Sequence, residues 1–165
     1  MTLRACILLT PLVFLVHDAE EVATVAAWTR AHRDLVPAFA RGLLPIHTGQ
    51  FAAAVALLFA VFLAVSLLAA RERTPGTATR VWLLLLAMLF ANALTHAAQA
   101  VYAGGYVPGL ATALGVVVPF GVLAGRRALA DGLASKRAVV PLVAAGLLLQ
   151  APAVVLALLF GRSAG

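Results

Sequence analysis

From Phe51 to Ala70 the chain runs for twenty residues with Ser66 as its only polar side chain. A helix of that length rises about 30 Å, the thickness of a bilayer's hydrocarbon core. This run, drawn as 50–70, is one of five, the others lying at about 5–29, 81–103, 109–125 and 138–160. Most reach the roughly 20 residues that a spanning helix needs, and the fourth is short, at about 17. Charged residues make up 11% of the chain, against roughly a quarter in a soluble domain. With 64% hydrophobic residues and a mean hydropathy of +1.05, the pattern predicts an all-α, polytopic membrane helix bundle. It has about five transmembrane helices in one domain, 1–165, with the lipid bilayer as its partner.

The segments between the runs set topology. RAHRDLVPAFARGLLPIHTG, from Arg30 to Gly49, alternates arginines with apolar residues, which suggests an interfacial helix at 33–45 broken by Pro37 and Pro45. Arg71-Glu72-Arg73-Thr74-Pro75-Gly76 is a polar turn, and Tyr102 to Gly109 is an uncharged turn rich in helix breakers. Trp28 and Trp82 fit an interfacial aromatic belt. Arg4, Arg71, Arg73, Arg80, Arg126, Arg127, Lys136 and Arg137 fall on one side of the bundle, eight in all, against four on the other: Arg30, Arg33, Arg41 and Arg162. The positive-inside rule then puts the N-terminus in the cytoplasm and, with five spans, the C-terminus outside. The net charge of +6 is spread between apolar runs and not gathered in a patch, which argues against nucleic acid. The lone Cys6 excludes an intrachain disulfide and a Cys-rich zinc site. The first run resembles a secretory signal in its basic start and apolar centre, but acidic residues stand where cleavage would fall.

Those acidic residues are the chemistry of the chain. Three of its six carboxylates fall within four positions, in His17-Asp18-Ala19-Glu20-Glu21, near the middle of the first span. Charges at that depth cost several kcal/mol each unless paired, protonated or metal-bound. Helical geometry puts His17, Glu20 and Glu21 on one face and turns Asp18 about 100° away. The third span carries Asn92, His96 and Gln99 as one stripe, and the fifth carries Gln150. At about 1.5 Å per residue, His17 lies roughly 18 Å from the cytoplasmic end, Asn92 about 17 Å, His96 about 22 Å and Gln150 about 18 Å. Odd-numbered spans run the same way, so these groups can face one another.

These residues carry a resemblance. The sequence resembles the HXXEE-domain proteins, small bacterial membrane proteins whose motif is matched by His17, Glu20 and Glu21. Asn92-Ala-Leu-Thr-His96 and Tyr106-Val-Pro108-Gly109 match later elements of the family pattern, and Thr112 and Pro119 fit the helix that follows. The match covers roughly residues 8 to 125. The resemblance implies a bacterial inner-membrane location and implies no activity.

The plainest reading of the cluster is a hydrogen-bonded knot that locks the bundle, although adjacent carboxylates are a costly way to build one. The sharper reading makes His17, Glu20, Glu21 and His96 the catalytic groups and the candidate ligands of a divalent metal, zinc, iron or manganese. Asn92, Gln99, Tyr106 and Gln150 then orient them or touch substrate. A lipophilic small molecule would enter from the bilayer. Metal-free acid–base catalysis uses the same residues, and so does a non-enzymatic proton-coupled carrier or metal-binding membrane protein. The sequence leaves open whether the chain is an enzyme and whether it forms a homodimer. No internal repeat of the kind carriers often show is visible.

Overall fold

The computed structural model describes residues 1–36 and 38–163. The chain is all-helical, with five long helices and no strand among the described residues. Helix α1 spans Leu3–Ala31, α2 Thr48–Ala69, α3 Thr77–Ala103, α4 Leu110–Ala130 and α5 Lys136–Ser163. Helices α2 to α5 are long and apolar enough to cross a membrane. Helix α1 equals them in length, at 29 residues, but carries Asp18, Glu20 and Glu21 in its second half.

The ends of these helices follow from local chemistry. The Thr2 hydroxyl accepts the Ala5 N–H at the start of α1. The Glu72 carboxylate caps α3, accepting from the amides of Gly76, Ala78 and Thr79 and from the Thr79 hydroxyl. Gly104, at φ +66, closes α3 in the left-handed conformation that glycine adopts without strain. Helix α4 opens with one ordinary turn and widens into a π turn over Ala113–Val117. It also runs past the double arginine where the sequence ended it at about 125. Arg127 pairs with Asp131 four residues on, which carries the last turn to Ala130.

Two expectations change. In place of one interfacial helix at 33–45, the chain makes two short 3₁₀ turns, Arg33–Leu35 and Ala38–Leu43; Pro37 lies outside the described residues. Trp82 is no belt residue: it is 0% exposed, and its indole N–H donates to Thr10 Oγ1 at 2.8 Å, tying α3 to α1. An indole N–H buried in an apolar core needs such an acceptor.

Helix α1 packs on α2, α2 on α3 and α5, and α3 on α5 and the start of α4. Close approach of α3 and α5 requires Gly146, where a Cβ would sit 2.7 Å from the backbone of Ala87. Phe14 of α1 stacks on Phe62 of α2 with ring centroids 4.4 Å apart. Many large apolar side chains face outward, among them Leu12, Leu68, Leu123, Val140, Leu148 and Leu156. The inner faces of α1, α2, α3 and α5 leave a cavity of about 390 Å³ between them.

Candidate metal centre

The site begins with the turn between α3 and α4. Gly109, at φ +81, is the N-cap of α4 and lies hard against α1. A Cβ there would stand 2.9 Å from both Glu21 Oε1 and His17 Cε1, so only glycine lets the turn come this close. Trp28 of α1 holds the turn by donating its indole N–H to the Tyr106 carbonyl at 2.9 Å.

The first amides of α4 then meet a carboxylate. Glu20 Oε2 accepts from the Thr112 N–H at 2.8 Å and the Thr112 hydroxyl at 2.6 Å. Its Oε1 accepts from the Ala111 N–H at 3.2 Å and the Tyr106 hydroxyl at 2.7 Å. All four partners donate, so Glu20 acts purely as an acceptor. It caps another helix, where the dipole favours negative charge.

This capping fixes the tautomer of His17, which is 0% exposed. The Thr112 hydroxyl proton is directed to Glu20, so its oxygen accepts from His17 Nδ1–H at 2.9 Å. Nε2 is therefore the bare nitrogen of His17. It faces Asn92 Nδ2 at 3.0 Å and Glu21 Oε1 at 3.9 Å.

Glu21 Oε1 also lies 2.8 Å from His96 Nε2, which is 3.1 Å from the same Asn92 amide nitrogen. The one in-plane position of His96 Nε2 is thus claimed twice, by a carboxylate that can only accept and by an amide that can only donate. The imidazole rings of His17 and His96 meet edge to face at 5.0 Å. His17, Glu21 and His96 each offer one ligand atom, and the three atoms lie within 4.8 Å of one another. Ligands at about 2.0–2.2 Å from a tetrahedral metal stand roughly 3–3.5 Å apart. The two Glu21 distances, 2.8 and 3.9 Å, fall either side of that spacing. Two neutral imidazoles and a carboxylate are also a donor set that zinc and iron accept. The residues fit a divalent metal.

The chain matches the family described as a protein of unknown function with HXXEE motif over residues 8–124, well over half its length. It belongs to the HXXEE family. Comparison with curated proteins and with solved structures gives no match.

The two glutamates of the HXXEE motif therefore have different work. Glu21 meets the histidines. Glu20, expected among the ligands, is turned to the end of α4 and holds His17 through Thr112. Tyr106, expected at a substrate, donates to Glu20. Asn92 and His96 join the cluster, while Gln99 lines the cavity beyond it. Gln150 Nε2 donates to Thr95 Oγ1 at 3.2 Å. His32 stacks on Trp28 away from the cluster.

Three residues gained roles the sequence reading did not give them. Thr112 and Gly109 had a signal, a Pro-Gly turn opening a helix with Thr three positions on. Asp18 had none. It is 7% exposed, lines the cavity with Glu21 and His96, and its Oδ2 has no hydrogen-bond partner among the described residues.

Proposed function

We propose that this HXXEE protein is a membrane-embedded enzyme that holds a divalent metal and acts on a lipophilic small molecule. The grouping of His17, Glu21 and His96, whose ligand atoms lie within 4.8 Å of one another, carries this reading. A metal there would be zinc, iron or manganese, and would supply a Lewis acid next to the cavity. Glu20 acts one step out, through Thr112, as the group that keeps His17 Nε2 bare and aimed. Metal-binding histidines usually have such a partner on the other ring nitrogen. Asn92 Nδ2, at 3.0 and 3.1 Å from the two Nε2 atoms, would give up those contacts to a bound metal.

The chain forms a single transmembrane domain in which α1 is the fifth span, with the bundle supplying partners to Glu20 and Glu21 of its acidic centre. The excess of Lys and Arg at the α2–α3 and α4–α5 turns supports a cytoplasmic N-terminus and an external C-terminus in a bacterial inner membrane.

A second reading has support in one contact. Asn92 Nδ2 lies within hydrogen-bond reach of both histidine Nε2 atoms. An amide placed there can knit the rings into a structural network or a proton relay without any metal.

Elemental mass spectrometry on protein purified in mild detergent separates the two. The metal reading expects near one equivalent in the wild type, loss in His17→Ala and Glu21→Gln, and retention in Glu20→Gln. Absence of metal after reconstitution with zinc, iron and manganese would overturn it in favour of the network.

A further inference from the structure

The cavity beside the cluster has a chemical polarity of its own. Its far walls are apolar, built from Phe14, Phe51, Leu58, Phe62, Met88 and Val154. Its near wall carries Asp18, Glu21, His96 and Gln150. Three polar atoms on these walls are buried and unpartnered among the described residues: Asp18 Oδ2, Gln150 Oε1 and His96 Nδ1.

The two oxygens are acceptors. The orientation of Gln150 follows from its neighbour. The Thr95 hydroxyl donates to the Asn92 carbonyl at 2.7 Å, so its oxygen must accept from Gln150 Nε2. That leaves Oε1 as the free end of the amide. Asp18 is more than nine-tenths buried and presents a second acceptor. Buried polar atoms ordinarily find partners, and leaving one without costs about 1–3 kcal/mol. Two orphan oxygens beside the His96 Nδ1 call for a ligand head with more than one N–H or O–H. A hydroxyl has one O–H to offer, whereas a primary ammonium has three N–H.

We propose that the cavity binds a single-chain amphiphile with a primary amine head. The head lies at Asp18 and Gln150, and the chain runs along the phenylalanines of α1 and α2. A volume of about 390 Å³ sits at the lower end of small-molecule sites, about 300–1,000 Å³, and so suits one chain rather than a two-chain lipid. The proposal gives the substrate class of the enzyme proposed above and rests on that reading only for the chemistry that follows binding.

The chain contains two tryptophans, and Trp28 lines the cavity while Trp82 is enclosed elsewhere. Bromine quenches indole fluorescence at contact, so a long-chain alkylamine brominated on its tail reports occupancy. The probe is titrated into metal-stripped protein in lipid nanodiscs, beside the brominated alcohol of equal length. Saturable quenching that unbrominated amine competes away and that Trp28→Phe abolishes is expected. Asp18→Asn and Gln150→Leu, checked for unchanged thermal unfolding, should each weaken amine binding at least tenfold. Equal binding of alcohol and amine, indifferent to both substitutions, would overturn the head-group assignment. Quenching that rises linearly without saturation would overturn the site. Because the protein is metal-stripped, either failure is distinct from failure of the metal reading, which elemental analysis measures separately.

Discussion

Replacing Thr112 by valine removes one oxygen and keeps the shape, which isolates the link between Glu20 and His17. The wild-type hydroxyl donates to Glu20 Oε2 at 2.6 Å and accepts from His17 Nδ1 at 2.9 Å. Glu20 keeps three of its four donors in the variant, the Thr112 backbone N–H among them. His17 Nδ1 has no other hydrogen-bond partner among the described residues, and the ring is fully buried. An N–H orphaned in such a place costs about 1–3 kcal/mol, and a lost bond to a charged group about 1.5–3. Relaxation around Glu20 recovers part of the second figure, so the expected loss of stability is about 2–4 kcal/mol. His17 can escape some of this by moving its proton to Nε2, which is the atom that must be bare to ligate. Metal affinity should therefore drop about 10–100-fold, as outer-shell changes typically do. Thr112→Ser, which restores the oxygen, should recover most of both losses. Denaturant unfolding in detergent and a competitive zinc titration read the two quantities. A valine variant that binds metal like the wild type, or a serine variant no better than valine, would refute the tautomer argument.

Glu20→Gln keeps one acceptor oxygen at the end of α4 but loses the charge, and should lower stability by about 1–2 kcal/mol in thermal unfolding, as cap losses do. Its metal content should stay near that of the wild type. Gly109→Ala places a Cβ 2.9 Å from Glu21 and His17 at a φ of +81; strain of about 1–2 kcal/mol and a displaced cluster should appear as lower melting temperature and weaker metal retention. The Glu72 carboxyl is held down to about 2 by its hydrogen bonds, the Thr79 hydroxyl first and the Gly76, Thr79 and Ala78 amides with it. A lowered carboxyl contributes stability above its unfolded value, ordinarily near 4.5, and loses it as pH falls toward 2. Unfolding followed across that window should show a decline that Glu72→Gln flattens.

The five helices were legible because their composition admits little else, and the two polar stripes, placed at matching depths on paper, touch in the structure. The split between Glu20 and Glu21 was not legible. A helical wheel says which residues share a face, but a glutamate's reach is long enough to choose between neighbours on either flank of that face. Which neighbour wins depends on where the first turn of α4 docks, a tertiary fact. Asp18 was set aside by the same wheel, about 100° from the stripe. The cavity, bounded by four helices, wraps far enough around α1 to include it. Trp82 sits close to a charged re-entry point in sequence, and only the pairing of α1 with α3 shows that Thr10 draws its indole inward.

The partners of the HXXEE motif arrive late in the chain. His17 bonds to a residue 75 positions on and another 95 on, and Glu20 to residues 86 to 92 on. During synthesis α1 leaves the ribosome with its carboxylates unmatched, at about 2.5–3.5 kcal/mol for each charge brought to mid-bilayer. On the proposed reading of α1 as a span, that cost disfavours its settling at full depth alone. On the same reading, helix α1 is expected to wait at the membrane surface, or in the insertion machinery, until the α3–α4 turn is made. A chain cut short after α3 should leave its first helix accessible to water-soluble labels, and adding residues through Thr112 should protect it.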